Sequence, residues 1–334
     1  MQSLFLYPRD VDTDAPHLFW SAPPDPALLL SLDRLGQTTP ALVIAAEGRP
    51  ILAAGSRRAL ALRELRGRTL AAMAVTQDSM AGDGPDLPQP LWLGLLYLAS
   101  NMGRAVTEAM LVAAGRYFTA YGSPDDFLSL AGPYLFAPGD RRGRLVLRWL
   151  DLPPACDALL ASGHVPLGAG ELLAGCDGDT LTALRPLLSA LRWSRANLQN
   201  ALSWLTEAAT LAGDRPAALL ARCGALELAG RGLSPNDLTA GVLAALRRLR
   251  YPATTTLEAR FAALSRELVR GSRVKLKPSQ GFEADTVTVE LTVRRPEDAA
   301  TAARELAGLA GQPALAKLLR LAHDDTDDAD GDPA

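Results

Sequence analysis

The chain has 334 residues, 48% of them apolar and only 5% aromatic, with a formal net charge of −3. That length suits two or three domains with buried cores, and no apolar run is long enough for a membrane span, nor is a signal peptide read at the N-terminus. Cys156, Cys176 and Cys223 are odd in number, far apart and without metal-ligand spacing, so they read as buried, reduced thiols of a cytoplasmic protein, with no metal site.

Charge is unevenly placed. The end of the chain, "DDTDDADGDPA", holds six Asp, which leaves the rest of the protein at +3. An acidic stretch of this kind, residues 323–334, cannot bury apolar area and is predicted to be a disordered tail. The basic charge is nearly all Arg, in clusters at Arg141 to Arg148, Arg247 to Arg250 and Arg266 to Lys277.

In chain order, "ALLLSLDRL" (27–35) reads as a helix begun by "PPDP" and closed by Gly36. "PALVIAA" and "PILAAG" are strand candidates around the turn "EGR". "SRRALALRELRG" is a helix closed by Gly67, and "TLAAMAV" is a third strand. Residues 1–90 therefore form an α/β domain, ending in a Pro- and Gly-rich loop at 78–90. Residues 91–250 are helical, with no strand pattern. Ser123 caps "SPDDFLSLA", and "RRGRLVLRWLDLPP" is a helix stopped by its prolines. Gly132-Pro133 is expected to interrupt the helix after Ser123, because proline lacks the N–H and clashes with the preceding turn. Residues 251–322 read as helix, strand, strand, helix. The strand "DTVTVELTVRR" alternates Val287, Val289, Leu291 and Val293 against Thr and Glu. Its apolar face calls for cover, from flanking helices or from a second subunit. The fold class expected is α+β multidomain: an α/β N-terminal domain, an all-helical middle and a small C-terminal α/β module.

The most suggestive local pattern is Gly55-Ser56-Arg57-Arg58, set between a strand and a helix. Free N–H groups at a helix start carry partial positive charge, a preceding glycine lets an anion approach closely, and arginines add charged hydrogen bonds. A solvated first turn has the same composition. No Ser/His/Asp arrangement, metal spacing or Walker loop accompanies it; His17, His164 and His323 stand alone.

The order of pieces over 27–76, and "AAGSRRALAL" above all, resembles the N-terminal domain of the ParB family of DNA-partition proteins. The resemblance implies a ParB/sulfiredoxin fold in which Gly55, Ser56, Arg57 and Arg58 hold the phosphates of CTP, with Mg2+. A second family motif, "ENxQR", is matched by "SNMGR", which adds Asn101 and Arg104; Ser100 and Gly103 depart from it. The "NPxQPR" motif has no counterpart. Ser56 stands where the family has Glu or His, which bears on hydrolysis more than on binding. Sulfiredoxin chemistry needs a Cys at this corner and none is present.

"LRWLDLPPACDALLASGHVPLGAGELLAG" (147–175) is similar to the family stretch that follows its helix-turn-helix. That makes "GDRRGRLVLRWL" the recognition helix. Arg141, Arg144 and Arg148 share a face by three-and-four spacing, and Arg142 adds a fourth charge for double-stranded DNA. The C-terminal module loosely looks like the family's dimerisation element, implying a homodimer. The expected function is that of a divergent ParB-like, nucleoid-associated DNA-binding protein controlled by CTP, in chromosome or plasmid partition or related regulation. Two rivals stand beside it: a weak CTP-hydrolysing switch whose DNA contact is secondary, and an interaction scaffold that has lost both activities.

Overall fold

The first strand of the protein escapes sequence reading. In the computed structural model, which describes residues 2–45, 48–80, 87–270, 272 and 274–321, β1 (Gln2–Leu6) lies at a sheet edge. Three further strands complete the sheet: β2 (Ala41–Ile44), β3 (Ile51–Ala54) and β4 (Leu70–Ala74), in the order β1-β4-β2-β3. β1 and β3 pair antiparallel with their neighbours, while β2 and β4 are parallel. Parallel strands need a crossover, and here it contains β3 and helix α2 (Ser56–Glu64). Helix α1 (Pro26–Leu35) precedes β2. The Asp25 carboxylate accepts the Leu28 N–H at its start, and Gly36, at φ 75°, closes it.

The chain divides into two compact units, 1–199 and 200–334. In the first, α3 (Gln77–Met80) is a single turn inside the expected loop, of which 81–86 lie outside the described residues. Then come α4 (Gln89–Ser100) and α5 (Glu108–Tyr121). An aromatic cluster joins these helices to the N-terminal loop: the ring centres of Phe19 and Tyr97, and of Phe19 and Tyr117, are 5.2 Å apart, and the Trp20 indole donates to Met110 O at 2.7 Å.

Residues 124–135 correct the expectation of a helix broken at Pro133. The segment stays helical through α6 (Pro124–Asp126), a widened π-type turn at Phe127–Ala131, and α7 (Gly132–Leu135). Gly132 N–H reaches back five residues to Phe127 O. The wider turn moves the chain past the carbonyl against which a proline ring clashes in a regular helix. Helix α8 (Arg142–Leu150) follows. Val146 and Trp149 on its inner face are fully buried, while Arg142, Arg144 and Arg148 are exposed. The remaining helices of this unit are α9 (Asp157–Ala161), α10 (Gly170–Ala174), α11 (Gly178–Ala190) and the first part of α12 (Arg195–Ala212).

The second unit holds α13 (Pro216–Arg222), α14 (Ala225–Ala229), α15 (Pro235–Arg250) and α16 (Pro252–Leu268). Strands β5 (Val274–Pro278) and β6 (Val287–Leu291) then pair antiparallel, before α17 (Pro296–Ala310) and α18 (Pro313–Leu319). Phe261, Leu268, Val274, Leu309, Leu318 and Leu321 form one buried apolar cluster in it. The alternating strand is shorter than its pattern, ending before Val293, and Val289, Leu291 and Val293 are 36%, 39% and 48% exposed. The acidic tail, 323–334, lies outside the described residues. No helix among the described residues is long and apolar enough to cross a membrane.

Candidate functional site

Gly55 is the N-cap of α2 and adopts φ 95°, ψ 27°, a left-handed conformation that only glycine takes without strain. Space is short as well. A β-carbon there would stand 3.0 Å from an Arg58 guanidinium nitrogen and 3.2 Å from the Ala41 β-carbon. Arg58 thus folds back over the glycine, and one of its nitrogens donates to Thr39 O at 2.7 Å. Burial lowers the pKa of this guanidinium, which means a charge held partly out of water. Arg57 is paired with the Asp25 carboxylate, the same group that caps α1. The Leu28 N–H and Arg57 hold that carboxyl below the usual range.

Ser56 is almost fully buried and lies close to the phenol of Tyr97 on α4. Burial pushes that phenol up, against the opposing pull of Ser56, the Arg104 charge and the Trp20 backbone. Arg104 itself reaches Trp20 O at 3.4 Å. The glycine corner and Arg104 are therefore linked through Tyr97 and Trp20. Asn101 is used elsewhere: its side-chain amide donates to Tyr97 O at 2.8 Å, closing the end of its own helix.

Tyr97, Trp20 and Asp25 were not singled out by sequence reading. The usable signal was aromatic clumping near 19–20, 97 and 117–121 in a chain with few aromatics. For Asp25 there was none, because its partnership with Arg57 depends on the packing of α1 against α2.

The α8 arginines form a second, separate set. Arg141 caps the helix in a helical backbone conformation rather than sitting within it. Arg142 is held by Asp140, with a charged contact of 2.7 Å, and this pairing raises its pKa. Arg148 is 4.0 Å from Asp151, an exposed pair that contributes little. Arg141 and Arg144 have no acidic partner among the described residues. Arg144 and Arg148 line a groove of about 450 Å³ together with Thr119, Pro124 and Leu147. The helix is footed firmly. Asp157 accepts from Arg116 at 2.5 and 2.9 Å and from the Trp149 indole at 2.9 Å. Gly143 permits close contact, since a β-carbon there would lie 2.9 Å from a Leu128 methyl.

The three thiols are free, Cys156 buried and the other two half-buried, and burial raises all three pKa values. They are poor nucleophiles at neutral pH. No group of three or more His, Cys, Asp or Glu side chains among the described residues could hold a metal ion. Comparison of the chain with known protein families and with curated proteins found no match.

Proposed function

We propose that this protein is a divergent ParB-like DNA-binding protein, with duplex DNA gripped by α8 and a nucleoside triphosphate sensed at the glycine corner. One observation carries the reading: α8 follows a helix and a short turn, and presents Arg141 and Arg144 to solvent without acidic partners beside a groove lined by Arg144 and Arg148. Its domain scheme is an N-terminal nucleotide-sensing domain (1–90), a DNA-binding middle (91–250) and a homodimerising module (251–322). The exposed apolar side chains of β6 support the last. The setting that goes with it is the nucleoid in the cytoplasm.

At the corner, Gly55, Ser56, Arg57, Arg58 and Arg104 would hold the phosphates of CTP, which comes with Mg2+. The close fit of Gly55 and the reach of Arg104 to Trp20 O, near Tyr97, support this. Arg57 would have to leave Asp25, and Asn101 would have to release its helix end.

The test is duplex binding by fluorescence anisotropy across a salt series. Log affinity should fall with log salt by roughly 0.9 per phosphate gripped. The variant with Arg141, Arg142, Arg144 and Arg148 all changed to Ala should keep its circular dichroism and lose binding. A parent protein that binds no duplex at low salt, or a variant that binds as the parent does, would end the reading. In that event the scaffold alternative gains, and it has an observation of its own: Arg57 and Arg58 are already satisfied by Asp25 and Thr39 without any ligand. CTP turnover would instead mark a hydrolysing switch.

A further inference from the structure

Helix α2 ends in a basic hollow that the DNA and nucleotide readings do not use. A cavity of about 290 Å³ is lined by Tyr7, Arg9, Arg63, Arg66 and Arg68, with Pro8, Leu62 and Gly67 completing the wall. Two of the four arginines are offset by acids. Arg9 is 3.7 Å from Asp10, and Arg68 is 3.0 Å from Asp33. The other two keep their charge. Arg63 donates only to neutral oxygens, Pro8 O at 3.3 Å and the Thr13 hydroxyl at 3.1 Å. Arg66 has no acidic partner among the described residues.

One backbone feature bears on the test. Arg66 sits at φ 27°, in the left-handed region, immediately before Gly67 at φ 77°. It is the residue after the α2 cap, Leu65, where helices commonly turn left-handed, so this conformation closes the helix, at an energy cost that a glycine would avoid. A second observation is the wall opposite: the Tyr7 ring, half-exposed, lies 5.3 Å beneath the Arg9 guanidinium. An aromatic ring in the same hollow as Arg63 and Arg66, whose charges no described acid offsets, suits a phosphate attached to a stackable base.

We propose that this hollow binds a phosphate group of a nucleotide, with Arg63 and Arg66 gripping the phosphate and Tyr7 offering a stacking face. The site stands apart from the glycine corner at the other end of α2, and from α8, and does not rest on either reading. The phosphate can belong to a free nucleotide or to a single strand, and the test separates them.

The full-length protein is titrated by calorimetry with inorganic pyrophosphate, adenosine monophosphate and a short oligothymidylate. Binding heat from at least one of them, weakened tenfold or more in Arg66→Gly, supports the proposal. Adenosine monophosphate as the tightest probe assigns a free nucleotide; the oligonucleotide as the tightest, with a steep salt dependence, assigns a strand. Arg66→Gly should melt no lower than the parent, because glycine relieves the left-handed strain, so lost binding cannot be ascribed to unfolding. Arg58→Ala serves as the control for the glycine corner and should leave this binding unchanged. Absence of heat with all three probes overturns the proposal. So does binding that survives Arg66→Gly or disappears in Arg58→Ala.

Discussion

The arginines of the glycine corner and those of α8 are the same residue type in opposite circumstances. At the corner, Arg58 is folded against Gly55 and bonded to Thr39 O, and Arg57 is claimed by Asp25. On α8, Asp140 claims Arg142, and Asp151 stands at the edge of contact with Arg148, but Arg141 and Arg144 are left to solvent. A corner already satisfied must exchange partners to take a ligand, so part of each new bond is offset by one lost. An exposed, unpaired set has no such exchange to make, and its attraction for a polyanion is limited mainly by screening. Residue type alone does not tell the two regions apart; their partners do.

The largest expected effect breaks the comparison from beneath α8. Asp157→Ala removes the acceptor shared by Arg116 and the buried Trp149 indole, and should cost about 2–3 kcal/mol in urea unfolding. Duplex binding should suffer, while nucleotide binding at the corner persists. An unchanged urea midpoint would show that Asp157 is not what foots the helix.

Next in size is Arg58→Ala, expected to weaken nucleotide binding by about 1.5–3 kcal/mol in calorimetry, the usual worth of a charged hydrogen bond. Asp25→Asn sharpens the point in the other direction. It frees Arg57 from its exposed pair and should tighten binding slightly. If no ribonucleoside triphosphate gives heat with either protein, the corner is structural.

On α8, Arg144→Ala should lower the log–log salt slope of duplex binding by roughly 0.9. Arg142→Ala should lower it by less, because Asp140 already holds that side chain, and Asp140→Asn should steepen it. Equal slopes for all three variants would mean that the ion pair seen here does not govern availability.

The smallest effect concerns His17, behind the corner. It is buried, its Nε2 lies 2.8 Å from Leu52 O, and burial lowers its pKa from the ordinary 6.5. Above pH 6.5 the ring is neutral in both folded and unfolded chains and stability does not change with pH on its account. Below it, the unfolded chain takes up a proton that the folded protein resists. Stability should therefore fall as pH drops from 6.5 toward the lower folded value. Thermal melts of the parent and of His17→Gln check this: the variant should lose that part of the slope.

Much of the local structure was legible in the sequence because its causes are local. Gly36 stops α1, Ser123 caps α6 with its hydroxyl on Asp126 N–H, and the prolines after Leu152 follow the end of α8. Spacing also gave the exposed arginines of α8, since Val146 and Trp149 three apart fix which side faces inward. The misses have longer-range causes. β1 is a short run whose strand state depends on pairing with β4 some seventy residues later. Pro133 was read as a break because a widened turn that accommodates it leaves no mark in composition.

By itself, then, the sequence determined where helices begin and end, which faces are apolar and which corners have the groups for an anion, because caps, periodicity and glycine act within a few residues. Only the tertiary structure decided which of those groups are free. Asp25 reaches Arg57 across two helices, Tyr97 comes close to Ser56 from α4, and Arg63 and Arg66 meet Tyr7 across a hollow formed by distant segments. An ion pair or a cavity depends on distances between elements, and those are set by packing rather than by the order of residues along the chain.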